Sequence, residues 1–252
     1  RRRPAGQQTG RCLITEDDLQ GHWQRDWIKA QGFEDHQTRV HWMQAGALFA
    51  DLRIPLDRPS IAGRADLSDL TQSELAQLMT AEGFAGHITV TDSRCTWHRE
   101  INWHGMPDAE DIGLMSHEGG ALMEDGVLAE YRERWSPQPS GALRGHRLTL
   151  GTQTGILIES DESFLLALGP HPIGTSCALR EALAMGTATP AAINAHFASG
   201  YSLGRWDGAD GIAELSTNPF NEGQRILTKG ATPGVVLIHA PSAKRTVEAH
   251  IA

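Results

Sequence analysis

The side chains best suited to chemistry lie in one ten-residue segment, Cys95–His104 (CTWHREINWH). Successive side chains of a β-strand point to opposite faces, so a strand here would present two different sets. One face would carry Cys95, Trp97, Arg99, Ile101 and Trp103, and the other Thr96, His98, Glu100, Asn102 and His104. Neither set is uniformly apolar, although a strand that covers a core needs one apolar face.

Three interpretations of this segment stay open. In the first, the face with Trp97 and Trp103 packs in a core, and Arg99 pairs there with a carboxylate. In the second, the face with His98 and Glu100 lines a cavity, where the pair binds a ligand or serves as general acid and base. In the third, that pair and a further ligand hold a metal. The spacing leaves the third ligand set incomplete, so we expect no metal site.

A second alternating segment follows Trp42 in the run HWMQAGALFADLRIP (41–55). Phe49, Asp51 and Arg53 would share one strand face. An inward arginine there could hold a carboxylate through two parallel hydrogen bonds, with the aspartate orienting it. The alternative is a solvated or purely structural ion pair. A lone Trp42 fits either a core or a pocket wall.

The third alternating segment is EYRERW (130–135), which would place Tyr131, Glu133 and Trp135 on one face. Two aromatic side chains beside an inward carboxylate suit a partly apolar pocket with one polar group. The alternative is that the aromatic residues are core and the carboxylate is not a ligand group. A buried Glu133 needs a cationic partner, and we expect Arg53 or Arg99 in that role.

Known catalytic signatures are missing from the sequence. It contains no nucleophile elbow, no P-loop and no dinucleotide-binding glycine fingerprint. Cys95 stands in no activating context and is better explained as a core residue. We therefore expect no cofactor, and any catalytic group must come from the three segments above.

Short strand-like stretches bounded by turn residues fill most of the chain, which is typical of β-barrels and sandwiches. They are predicted at 38–55, 86–90, 95–104, 112–115 and 127–135, and again at 147–150, 155–159, 163–168, 211–215, 225–227 and 235–239. Helix signals are few. Thr71 and Glu74 have capping-box spacing, 176–185 is a second candidate, and Thr189-Pro190 starts a third.

The two halves of the chain share one order of elements. In each, a strand with a phenylalanine ends at a proline, helices follow up to a glycine before an aromatic residue, and strands resume. The corresponding residues are Phe49 and Phe164, Pro55 and Pro170, and Gly83 and Gly200, at offsets of 115, 115 and 117 residues. Similar offsets at three landmarks indicate tandem copies of one β-rich unit.

The predicted fold is therefore mainly β, with two tandem β-barrels that each carry a short helical insertion. The breaker-rich run SPQPSG (136–141) is the predicted linker. It divides the chain into a flexible arm at 1–11, an N-terminal barrel at 12–137 and a C-terminal barrel at 141–252.

Composition excludes several classes of protein. The 252 residues carry a net charge of −9, which disfavours a nucleic-acid-binding protein. No stretch approaches the roughly 18 apolar residues that span a bilayer, and no apolar run follows the basic N-terminus, so we expect no membrane association. Three widely spaced cysteines indicate a reducing, cytoplasmic location. The oligomeric state is left open.

The chain resembles a family of uncharacterised bacterial proteins. The matching stretches are HWMQAGALFADLRIP (41–55), EGFAG (82–86), CTWHREINW (95–103), EYRERW (130–135) and, more weakly, GIAELSTNPFNEGQRI (211–226). In architecture it is similar, more distantly, to a fungal family built of two lipocalin-like barrels. The resemblance implies a tandem calycin-like fold and brings no catalytic motif.

The primary functional hypothesis is that the N-terminal barrel binds a small, largely apolar or aromatic molecule with a polar or anionic end. Its predicted ligand-binding residues are Trp42, Phe49, Asp51, Arg53, Trp97, Arg99, Trp103 and Tyr131. The first alternative is a cofactor-free lyase, isomerase or hydrolase in the same lumen, with catalytic residues His98, Glu100 and Glu133. The second is a structural or interaction protein whose barrels are filled by their own side chains.

Overall fold

The chain folds into two closed antiparallel β-barrels in tandem, as seen in a computed structural model that describes residues 13–151, 153–169, 175–240 and 245–251. Three short α-helices and three single-turn 3₁₀-helices connect the strands; the 3₁₀-helices are Asp17–Leu19, Leu67–Asp69 and Pro219–Asn221. The mainly β, tandem-barrel prediction is thus confirmed. The predicted arm over 1–11 lies outside the described residues.

The first barrel is a sheet of nine strands arranged in eight positions. Its strands are β1 (Gly21–Ala30), β2 (Phe33–Asp35), β3 (Arg39–Ala45), β4 (Leu48–Ile54), β5 (Glu82–Thr91), β6 (Arg94–Asn102), β7 (Asp111–Glu118), β8 (Ala121–Gly126) and β9 (Tyr131–Gln138). Short β2 and β3 pair with successive parts of β1, and the pairing of β1 with β9 closes the barrel. Helix α1 (Gln72–Leu78) follows β4, and its reciprocal Thr71–Glu74 capping box matches the sequence prediction.

The second barrel repeats this order with eight strands. They are β10 (Arg144–Leu150), β11 (Gln153–Glu159), β12 (Ser163–Gly169), β13 (Tyr201–Asp207), β14 (Asp210–Ser216), β15 (Arg225–Lys229), β16 (Val235–Ala240) and β17 (Arg245–Ile251). Its insertion holds α2 (Thr175–Ala184) and α3 (Pro190–Phe197), the latter N-capped by Thr189. The insertion follows β12 as α1 follows β4, so the helical insertion occupies the same place in both barrels.

The junction between the barrels differs from the predicted linker by a few residues. Strand β9 continues to Gln138, because residues 136–138 pair with residues 22–24 near the start of β1 and help to close the first barrel. The predicted linker at 136–141 therefore begins inside a strand.

One apolar core joins the outer faces of the two barrels. The outward side chains of β3–β6 pack against those of β11–β14, with the three helices beside them; members include Leu52, Trp103, Leu165 and Tyr201. The Tyr201 ring lies directly on Gly83, where a Cβ would come within 2.5 Å of it. Burial of this size across two units makes them one packed body.

The two barrel interiors differ in chemistry. Aliphatic side chains with Phe164 and Trp206 form the core of the second barrel. Its buried polar residues, in the part of the chain that the structure describes, include no Asp, Glu, Lys or Arg. The first barrel instead buries charged groups together with aromatic rings. Charge of that kind is costly unless it is paired or functional, which directs attention to the first barrel.

No helix in the described ranges is both long and apolar enough to cross a membrane.

Candidate functional site

A cavity of about 200 Å³ lies inside the first barrel. Its wall combines aromatic rings with charged groups: Ile28, Trp42, Phe84, Trp97 and Trp135 are apolar, and Asp51, Arg53, Arg99, Asp111, Glu124, Tyr131 and Glu133 are polar. A dry cavity of about 150 Å³ is enough for benzene, so this one has room for a single ring with a polar substituent.

Strand alternation brings the polar groups together. Asp51 and Arg53 are two residues apart on β4, and Glu124 of β8 stands directly opposite Glu133 of β9. On β7, Gly113 lies close to Glu124, and a Cβ at this glycine would lie 2.6 Å from the Glu124 side chain. That glycine leaves the space that the inward glutamate occupies.

A β-bulge decides which residues of β6 face the cavity. The pairing of β5 with β6 shifts register between Ala85 and Gly86, which leaves Glu100 as the extra residue. Before the shift, Trp97 and Arg99 point into the barrel; after it, the faces exchange, and Trp103 packs in the core between the barrels. The prediction that Trp103 binds ligand is wrong, because simple alternation does not survive the bulge.

Two arginines meet on one aromatic ring of the cavity wall. The guanidinium carbons of Arg99 and Arg53 lie 3.6 Å and 4.9 Å from the centre of the Phe84 ring, within cation–π range. Arg53 Nε donates to Asp51 (2.8 Å), and Arg99 donates to Asp111 (2.5 Å). The side chain of Arg99 is 21% exposed and that of Arg53 is 22% exposed, so both present part of a guanidinium to the cavity.

The Glu133 carboxylate is neutralised from the neighbouring strand. Arg25 of β1 donates to it at 2.7 Å and to Asp35 at 3.0 Å, and both members of the Arg25–Glu133 pair are almost fully buried. Burial raises the pKa of Glu133, while Arg53 and Arg25 counteract the rise. The expectation that Arg53 or Arg99 would be its bonded partner is wrong, since β1 closes the barrel beside β9 and delivers Arg25.

Glu124 is the buried acid of the cavity that has no arginine bonded to it among the described residues. Its two oxygens contact Tyr131 Oη (2.7 Å) and Trp135 Nε1 (3.2 Å). Burial, reinforced by the negative charge of Glu133, raises the pKa of Glu124 well above its ordinary value. The raised pKa favours the protonated form of the carboxyl, which can donate a hydrogen bond or a proton.

The predicted acid–base pair of β6 lies outside the barrel. His98 Nε2 bonds the Thr89 hydroxyl on the outer face, at 2.9 Å. Glu100 binds Arg147 of the second barrel through both oxygens (2.8 and 2.9 Å) and also contacts His87. The assignment of these two residues as catalytic groups in the lumen is wrong. Both side chains point outward, because the inward face of this part of β6 carries Trp97 and Arg99.

Phe49 is also placed differently from the prediction. It lies within the barrel and packs edge-on against Phe84, with 6.0 Å between ring centres, but it does not line the cavity. It supports the ring on which the arginines lie.

Seven of the residues singled out from the sequence do line this one cavity: Trp42, Asp51, Arg53, Trp97, Arg99, Tyr131 and Glu133. The lining residues that were not predicted are Ile28, Phe84, Asp111, Glu124 and Trp135. Trp135 shared the predicted face of Tyr131, so alternation could have added it. Within the described residues, no group of three histidine, cysteine or acidic side chains is arranged to hold a metal ion.

Comparison with known proteins bears on the fold. No family model and no curated protein matches the sequence. A solved structure, that of the uncharacterised protein YLR301w from Saccharomyces cerevisiae, superposes with a TM-score of 0.55 at 11% sequence identity, over 91% of this chain and 96% of that one. At such low identity the likeness concerns the fold alone, and it extends over both barrels.

Proposed function

We propose that the first barrel binds a small molecule with an apolar or aromatic body and a polar, anionic end. The observation that carries the proposal is the pair of guanidinium groups on Phe84, both partly open to the cavity. Arg53 and Arg99 both line the cavity, where their guanidinium groups can meet the polar end of a ligand. Arginine is the side chain best suited to hold a carboxylate or phosphate oxygen.

The apolar body would contact the tryptophan wall. Trp42 packs edge-on against both Trp97 and Trp135, with 5.7 Å between ring centres in each case. This fixed group of rings forms a preorganised apolar surface beside the arginines. Pockets for small molecules typically combine such a surface with a few well-placed polar groups.

Binding of 3-phenylpropionate tests the proposal. We expect saturable binding to the purified protein by isothermal titration calorimetry, with a change in tryptophan fluorescence. Arg53→Met and Arg99→Met should each weaken binding at least tenfold, because each removes a charged hydrogen-bond donor from the cavity. Arg132→Met is the matched control, since Arg132 is 41% exposed on the outside of the same barrel. No binding by the wild type, or equal losses in all three variants, would contradict the proposal.

A second candidate, a cofactor-free enzyme, is favoured by one observation, the buried Glu124 carboxyl bonded to Tyr131 in the same cavity. Its raised pKa favours the protonated form, which can act as a general acid toward a bound molecule. The test is the conversion of 3-hydroxy-3-phenylpropionate to cinnamate and water, followed by ultraviolet absorbance. Glu124 would protonate the leaving hydroxyl while water takes the neighbouring carbon-bound proton, and Glu124→Gln should stop the reaction while binding persists. No reaction above the rate without protein would leave binding as the function.

We also propose that the chain is a bacterial, calycin-like protein of the cytoplasm that does not bind nucleic acid or membranes. The supporting observations are the sequence resemblance described above, the net charge of −9 and the two described cysteines, Cys95 and Cys177, which are free thiols.

A further inference from the structure

We infer that the ligand of the first barrel is zwitterionic, an α-amino acid with an aromatic or apolar side chain, recognised across the Arg99–Asp111 ion pair. This inference rests on the proposed function and narrows its ligand class. It comes from a second cavity that adjoins the first and from the charges that line the boundary between them.

The wall of the first barrel is incomplete beside this ion pair. Only residues 94–97 of β6 pair with β7, at residues 111–114. Strand β6 itself continues to Asn102, paired with β5 alone. Residues 103–110 leave the sheet between the two strands. An opening in the side of the barrel is therefore bounded by β6 and by the loop that follows it.

A second cavity, of about 190 Å³, lies at this opening. It shares Trp97, Arg99 and Asp111 with the cavity of the lumen, so these three side chains form the boundary between the two spaces. The Arg99 and Asp111 side chains are 21% and 23% exposed. A ligand seated at the boundary contacts both ends of one ion pair.

The two sides of the boundary offer different partners to a ligand. On the lumen side, the guanidinium groups of Arg53 and Arg99 stand beside three acids, Asp51, Glu124 and Glu133. Arg53 pairs with Asp51, and Arg25 neutralises Glu133. On the opening side, Asp108, Glu110 and Asp111 are the acidic lining residues, against His98 and Arg99. A ligand carboxylate can reach the two arginines from the lumen, and an ammonium group fits the acidic opening.

Charge balance favours a ligand with both groups. A purely anionic ligand would compete with Asp111 for Arg99 and leave that carboxylate with a weaker partner, which is unfavourable in a partly buried site. An amino acid supplies a carboxylate to the arginines and an ammonium to Asp111, so both partners of the original pair stay neutralised. Its side chain then lies against Trp42 and Trp97 in the lumen.

The decisive experiment compares three ligands of nearly equal shape by isothermal titration calorimetry on the wild-type protein. L-Phenylalanine carries both charges, 3-phenylpropionate lacks the ammonium, and phenethylamine lacks the carboxylate. We expect L-phenylalanine to bind at least tenfold more tightly than either of the others. If 3-phenylpropionate binds as tightly, the zwitterion inference is overturned while the proposed function stands. If none of the three binds, the proposed function itself fails.

Asp111→Asn provides a test from the side of the protein. In this variant, L-phenylalanine should bind no more tightly than 3-phenylpropionate but still more tightly than phenethylamine. Only the carboxylate that pairs with the ligand ammonium group is lost, and the arginines that hold the ligand carboxylate remain. Asp125→Asn is the control, since Asp125 is 43% exposed and pairs with Arg132 outside the barrel. An unchanged ligand order in Asp111→Asn would overturn the inference, and the ligand series on the wild type decides the matter if that variant fails to fold.

Discussion

Arg25→Met is expected to destabilise the protein by about 3–5 kcal/mol at pH 7, the usual cost of leaving a buried ion pair without one partner. Arg25 neutralises Glu133 and Asp35 at 2.7 Å and 3.0 Å, and only 5% of its side chain is exposed. Methionine retains most of the apolar stem, so the loss reports the charge rather than the packing. Urea unfolding monitored by circular dichroism measures the effect.

Arg132→Met is the comparison that gives the result its meaning. Arg132 also contacts two carboxylates, Glu118 and Asp125, but it is 41% exposed. Solvent screens such pairs, and we expect a loss below about 1 kcal/mol. Similar losses in the two variants would show that the interior of the barrel is wetter than the packing around Arg25 implies.

Glu124→Gln is expected to have the opposite effect and to stabilise the protein at neutral pH. Burial and the charge of Glu133 raise the pKa of the native carboxyl well above its ordinary value. Below about pH 4.3 the carboxyl is protonated in the unfolded chain as well, and the full contribution of this group to stability is present. As the pH rises, the unfolded chain ionises, and the wild type loses about 1.4 kcal/mol of stability per pH unit until the native carboxyl ionises.

Because glutamine does not titrate, the free energy of unfolding of the variant should exceed that of the wild type by a margin that grows from pH 5 to pH 8. If the native pKa lies above 7, the margin reaches about 3 kcal/mol at pH 7. Glu118→Gln, a change at an exposed position, should give a curve parallel to that of the wild type. A difference between Glu124→Gln and wild type that is constant with pH would contradict the assignment of a proton to Glu124.

Local signals were sufficient to predict the fold class. Alternation and turn residues indicate most strands, and capping residues such as Thr71 and Thr189 mark where two of the helices begin. Five strands were nevertheless not predicted: β1, β2, β8, β13 and β17. In β1, simple alternation would place Trp23, Arg25 and Trp27 on one face. A bulge between Arg25 and Trp27 shifts the register against β9, so the alternation that marks a strand is interrupted.

The site was only partly predictable for the same physical reason. Parity along a strand correctly places Asp51 with Arg53 and Tyr131 with Glu133, since no bulge interrupts β4 or the inward part of β9. It misplaces Trp103 beyond the bulge of β6. It also cannot show which strands become neighbours when a barrel closes, so neither Arg25 nor Glu124 could be assigned as a partner of the predicted residues.

The core shared by the two barrels has a consequence for how the halves can diverge. The first barrel contributes β3–β6 and the second contributes β11–β14, which occupy equivalent places in the strand order. Two copies of a single barrel that met through these faces would form a two-fold symmetric dimer, in which any substitution appears twice. Joining them in one chain removes that constraint. One half can then hold a charged cavity of about 200 Å³ while the other keeps a largely aliphatic core.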